Sequence, residues 1–116
     1  MKLLTKEIVN KMPMPEQVED GENAPIIVKF FGGGSYTLYV IAAYALIDGD
    51  EVKLSDLNGR EPIDIILYGY VTGLQVDEWG YTSFSELAML KFPPFRLGIE
   101  RDRYFGNHTV KEIKNN

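Results

Sequence analysis

Apolar positions along this chain follow two different periods. Leu4, Ile8 and Met12 are spaced four apart, on one face of a helix, and Thr5 can cap its start. A helix is expected over residues 6–12, ended by Pro13 and Pro15, which disfavour helical backbone. The acidic stretch MPEQVEDGENA at 14–24 reads as a loop. From Pro25 the pattern turns to β-branched and aromatic residues: PIIVKFF to Phe31, then YTLYVI from Tyr36 to Ile41. Gly32-Gly33-Gly34-Ser35 between them predicts a hairpin. Ala42 to Ile47 fits a strand or a helix equally well.

Asp48-Gly49-Asp50 predicts a turn, Glu51 to Leu54 a short strand, and Ser55 to Gly59 a second turn. Ile63 to Leu74 is the strongest strand, apolar on both faces, with Ile63, Ile65 and Leu67 opposite Ile66, Tyr68 and Tyr70. It is expected inside the sheet, and Gly69 and Gly73 predict a bulge or a close backbone approach. Asp77 to Gly80 is a turn, and Ser83-Phe84-Ser85-Glu86 matches a capping box, with Glu86 reaching back to the cap N–H. The helix it opens, to about Lys91, presents Phe84, Leu87, Ala88 and Leu90 to a core. Phe92-Pro93-Pro94-Phe95 is expected to be extended, and 106–116 to be a flexible polar tail. The sum is one α+β domain over residues 1–116, a mainly antiparallel sheet of about five strands with two short helices.

Composition narrows the chemistry. A chain of 116 residues suits one domain with a real core. It has no cysteine, so disulfides, zinc fingers, iron–sulfur clusters and thiol nucleophiles drop out, and a reducing, cytoplasmic setting is expected. The longest apolar run, 40–47, falls short of the ~20 residues of a membrane span. Net charge is −5, but residues 1–90 carry 6 Lys/Arg against 14 Asp/Glu, and residues 91–116 carry 6 against 3. An acidic body disfavours unspecific duplex binding, while the basic last quarter leaves a local anion contact or a nucleic-acid-binding module open.

No catalytic constellation stands out. The triple glycine lacks the following lysine and helix of a phosphate loop. His108 is the lone histidine and lies close to the chain end, a poor place for a rigid acid–base relay. Asp48, Asp50 and Glu51, and Asp77 with Glu78, are the densest acids. Both groups sit at turns without the spacing of a calcium loop, so no metal and no cofactor is expected. The unusual segment is Glu100-Arg101-Asp102-Arg103-Tyr104-Phe105. Its alternating charges suit an ion-pair network; a half-buried Arg101 or Arg103 would instead fork onto a carboxylate or phosphate. Trp79, Tyr81 and Tyr104 are the expected stacking surface beside them, so these five residues form the candidate binding site.

Several segments together carry a resemblance. Lys2-Leu3-Leu4-Thr5, Val28-Lys29-Phe30-Phe31, Thr37-Leu38-Tyr39, Gly69-Tyr70-Val71-x-Gly73-Leu74, Glu78-x-Gly80-Tyr81, Ser83-x-Ser85-Glu86-Leu87 and Ile99-Glu100-Arg101-Asp102-x-x-Phe105 resemble, in order, the bacterial domain of unknown function 2958. The likeness spans about residues 2–105, and its Glu-Arg-Asp-x-x-Phe ending is the most specific part. It implies small stand-alone proteins of plasmids, phages and integrative elements, commonly encoded near antirestriction genes, with no activity attached. The expectation is therefore a non-enzymatic accessory binding protein of a mobile element, acting in counter-defence on a host protein or a nucleotide-like ligand. A small metal-dependent hydrolase or nuclease using carboxylates is the alternative from another class.

Overall fold

The computed structural model describes residues 2–116. Helix α1 (Lys6–Lys11) starts where expected, the Thr5 hydroxyl accepting from the Ile8 N–H at 3.2 Å. Strands β1 (Val28–Gly32) and β2 (Tyr36–Ile47) form the hairpin around the triple glycine. After β2 come β3 (Asp50–Val52), β4 (Asp64–Thr72), β5 (Glu78–Ser83), helix α2 (Phe84–Met89), β6 (Glu100–Arg101) and helix α3 (Val110–Lys114). All six strands pair antiparallel in one sheet ordered β5-β4-β2-β1-β6, with β3 hanging on the far half of β2. The α+β architecture is the one the patterning implied. The sixth strand and third helix are short elements that periodicity cannot register.

Strand β2 resolves the ambiguity at 42–47. Val40 pairs with Gly69 and Ala42 with Tyr68, so Ile41 is an extra residue in the ladder. The bulge switches parity: Leu38 and Val40 face one side before it, Ala43 and Ala45 the same side after it. Tyr39, Ile41 and Ala42 face the other side. Gly69 is what permits the approach, because a Cβ there would lie on the Tyr39 carbonyl oxygen. The expected close approach at Gly69 is thus a real feature, although the bulged strand is its neighbour.

Each face of the sheet has its own cover. Leu38, Val40, Leu67 and Phe30 pack under α1, α2 and the 54–57 turn through Ile8, Met12, Leu87 and Leu54. On the opposite face Tyr39, Ile41, Tyr68, Tyr70 and Trp79 meet Val18, Ala24, Ile26, Val110 and Ile113. Residues 106–116 are therefore not a flexible tail. Val110 is fully buried, the Ile26 N–H donates to the His108 carbonyl at 2.9 Å, and the Lys111 N–H donates to the Glu22 carbonyl at 2.9 Å. Two apolar residues, Val110 and Ile113, are too few to announce a helix, but they suffice once a sheet face is waiting.

Four local expectations change. The cap of α2 keeps the Glu86 N–H to Ser83 hydroxyl bond at 3.3 Å, but Asp64 on β4 completes it. The Asp64 carboxylate accepts from Ser83 Oγ at 2.5 Å, Ser85 Oγ at 2.9 Å and the Ser85 N–H at 3.1 Å. Helix α2 stops at Met89, leaving Ala88 and Leu90 exposed. The Phe92–Phe95 run bends back: Phe92 and Leu97 exchange backbone hydrogen bonds of 2.8 and 3.2 Å, and the Pro93–Pro94 peptide is cis. The Phe92 ring then lies on Gly32 and Gly33, whose missing side chains make its seat. Ile63, read as strand, is 81% exposed just before β4.

Two stability measurements follow. Gly69→Ala should cost about 3 kcal/mol or more in urea unfolding, because backbone on both strands must move. Gly80→Ala, opposite it on β5 with nothing within 4 Å of the added Cβ, should stay within about 1 kcal/mol. The second concerns Asp64, which is half-buried. Burial alone would raise its pKa, but hydrogen bonds from Ser83, Ser85 and Ile65 together hold the carboxyl below its ordinary value. Its contribution is therefore present above the unfolded value of about 3.9 and disappears as pH falls through the lowered folded value. Asp64→Asn should lose about 1–2 kcal/mol at pH 7, with the two proteins' unfolding free energies converging in strong acid.

Candidate functional site

The five residues singled out from the sequence do not share one concavity. Trp79 and Tyr81 lie on β5, Arg101 on β6, and these strands close opposite ends of the sheet path. Sheet order separates residues that a linear reading had joined. Arg103 and Tyr104 stay near Arg101, on the turn after β6, with the Arg103 guanidinium 5.8 Å from the Tyr104 ring centroid. Two sites result in place of one.

The first is a groove of about 310 Å³ between α1, the 25–29 segment and residues 101–107. Thr5, Glu7 and Lys11 line it from the helix, Lys29 from β1, and Arg101, Asp102, Arg103 and Phe105 from the far wall. Four cations thus face two carboxylates. Lys11 pairs with Glu7 at 3.0 Å and Lys29 with Asp102 at 3.5 Å. Arg101 Nε donates to the Lys2 carbonyl at 3.2 Å, which ties the chain start to this edge. Arg103 is exposed at the rim.

The Glu-Arg-Asp-x-x-Phe ending acquires a physical account here. Asp102 Oδ1 accepts from the Tyr104 N–H at 2.9 Å, a local turn, while its other oxygen faces Lys29. Phe105 packs on Tyr39 with centroids 5.9 Å apart and on His108 at 4.7 Å. Lys29 Nζ sits 5.2 Å from the Phe105 centroid and 5.8 Å from that of Tyr39. Burial, with the nearby Asp102 and Asp77 charges, pushes the Tyr39 hydroxyl pKa up, so it stays a neutral floor. Sequence reasoning missed Lys29 and Lys11. The signal for Lys29 was there, a lone charge inside the apolar run PIIVKFF. Lys11 had none, because only the fold lays α1 beside β6.

The second site is on the outer face of β4 and β5. Register sets Tyr70 opposite Trp79 and Tyr68 opposite Tyr81, two aromatic rungs with centroid separations of 5.4 and 4.8 Å. Tyr68 also stacks on Trp79 at 5.8 Å, and Tyr44 meets Tyr81 edge-on at 6.4 Å. Burial, then the charge of Glu51, raises the Tyr44 pKa. Trp79 is half-buried beneath Gly21, and Tyr81 is 60% exposed.

The remaining candidates have structural roles. His108 Nδ1 lies 3.2 Å from Glu112 Oε2 across one turn. Asp48 and Gly49 take the positive φ angles of a tight hairpin turn, 53° and 80°. Asp77 Oδ1 accepts from the Gly73 N–H at 3.4 Å. Among the described residues no three His, Asp or Glu side chains are grouped closely enough to hold a metal ion. No helix among them is long and apolar enough to cross a membrane.

No curated protein and no solved structure matches the chain. One family model does, over residues 3–112, and the chain belongs to the family described as Protein of unknown function (DUF2958).

Proposed function

We propose that this is a non-enzymatic binding protein, an accessory factor of a mobile genetic element that acts in the cytoplasm against a host defence by holding a nucleotide-like, phosphate-bearing ligand. The setting rests on what the family resemblance implies. The ligand class rests on a single observation, the groove in which Lys11, Lys29, Arg101 and Arg103 outnumber Glu7 and Asp102.

Elsewhere the chain is acidic, so this concentration of positive charge is local and matches a compact anion better than an extended duplex. The basic last quarter supports the same choice. Lys114 is engaged with Glu22 far from Arg101, and Lys111 lies within electrostatic reach of Asp20, so its cations do not form one continuous track for a phosphate backbone. An arginine at the rim and a lysine on an aromatic floor provide both kinds of contact a nucleotide uses: charge-assisted hydrogen bonds to phosphate, and an apolar ring surface from Phe105. Binding without turnover fits a chain with no cysteine and one histidine, which is tied to a neighbouring glutamate.

Isothermal titration with ADP and with inorganic phosphate tests the proposal. ADP should bind with a Kd of about 0.1–1 mM, and Arg103→Ala should weaken it about fivefold. Arg60→Ala, on the exposed 57–60 turn, should leave it unchanged. Failure of both anions to bind, or equal binding to the Arg103 variant, would refute the proposed ligand class.

A further inference from the structure

Lys114 already shows what the aromatic rungs of β4 and β5 can hold. Its Nζ lies 4.7 Å from the Tyr70 centroid and 5.9 Å from that of Trp79, and the Glu22 carboxylate accepts its hydrogen bond. That hydrogen bond raises the Lys114 pKa. One rung along, the same parts recur. Tyr68 and Tyr81 line a groove of about 390 Å³ together with Glu16, Val18, Glu19, Gly21 and Pro15. Here are two tyrosine rings and two carboxylates, and no lysine or arginine lines the groove among the described residues.

From this repetition we infer that the Tyr68–Tyr81 groove is a docking site for a basic protein segment, which inserts a lysine or arginine side chain where Lys114 sits on the neighbouring rung. The cation lies over the tyrosine faces, the part of each ring where its quadrupole is negative, and Glu16 or Glu19 supplies the counter-charge. Tyr44, edge-on behind Tyr81, holds that ring in place, so the surface is organised before the partner arrives. Gly21 lets the acidic loop lie against Trp79. A Cβ at this position would come within 3.3 Å of the Trp79 ring and 3.2 Å of Ile41. The acidity of residues 1–90 extends the complementarity beyond the groove and favours encounter with a basic surface.

The groove lies at the sheet edge opposite the anion groove, and the inference does not depend on that ligand. Either site can fail while the other stands.

The probe is a lysine-rich oligopeptide, followed by isothermal titration and by the emission of Trp79, the chain's one tryptophan. The peptide should bind and perturb that emission, and the same peptide with every lysine acetylated should bind at least about tenfold more weakly. Tyr81→Ala, a change at an exposed ring that leaves the core intact, should weaken binding about tenfold. Glu16→Gln with Glu19→Gln should weaken it about fivefold, whereas the charge-matched pair Glu61→Gln with Glu86→Gln should not. Equal weakening by both charge pairs with no effect of Tyr81→Ala would reveal diffuse attraction to an acidic protein and overturn the site. Absence of binding would overturn it as well. So would equal binding of the acetylated peptide.

Discussion

Strand β2 meets β4 without a side chain between them at one point, and much of the molecule follows from that contact. Gly69 lies beneath the Tyr39 carbonyl, and opposite it β2 takes in Ile41 as an extra residue. A bulge adds local twist and exchanges the faces of everything beyond it. Before the bulge β2 turns Tyr39 toward the outer face; after it, Ala42 and Tyr44 point that way, while Ala43 and Ala45 join the core under α1 and α2. A residue with a Cβ at position 69 would push the strands apart and lose this arrangement.

The exchange of faces explains why one small sheet supports two distinct surfaces. At the β1–β6 end, the inner face is closed by α1, and the groove beside it collects four cations from three separate stretches of chain. At the β5 end, Tyr68, Tyr70, Trp79 and Tyr81 form an aromatic ladder, and the ladder is covered only in part. Helix α3 and the 18–24 loop close over Tyr70 and Trp79, stopping short of Tyr81. Glu22 and Lys114 form the seam of that cover. The 14–24 segment that supplies Glu22 also presents Glu16 and Glu19 to the open rung. An acidic loop beside aromatic rings thus closes over the sheet at one place and leaves a groove uncovered at the next.

The polar networks show a similar economy. Asp64 occupies a strand end yet completes the cap of α2, holding strand and helix together through two serines. Asp102 does the same between β1 and the 101–105 turn, by way of Lys29 and the Tyr104 N–H. In both cases one carboxylate satisfies donors from segments far apart in sequence, which lets a chain of this size fix its loops without disulfides.

Much of this was legible in the amino-acid order. The hairpin at the glycines, the close approach at Gly69, the Thr5 and Ser83 caps and the α+β class are all set by local stereochemistry: positive φ at glycine, hydroxyl caps, alternation of apolar residues. These effects act over a few residues and leave their mark there. Helix α3, the bend at Phe92 and the partner of the Ser83 cap were not legible, since each depends on a surface supplied from elsewhere in the chain. The candidate site residues show the divide most clearly. Side-chain chemistry, guanidinium groups for an anion and rings for stacking, groups Trp79, Tyr81, Arg101, Arg103 and Tyr104 in the sequence, but strand order, settled by pairing across the sheet, places them at opposite edges. The packing of α1 and the 14–24 segment onto that sheet sets Arg101 beside Lys29 and Lys11, and Tyr81 beside Glu16 and Glu19. Which side chains become neighbours is a property of long-range pairing, and no window along the chain contains it.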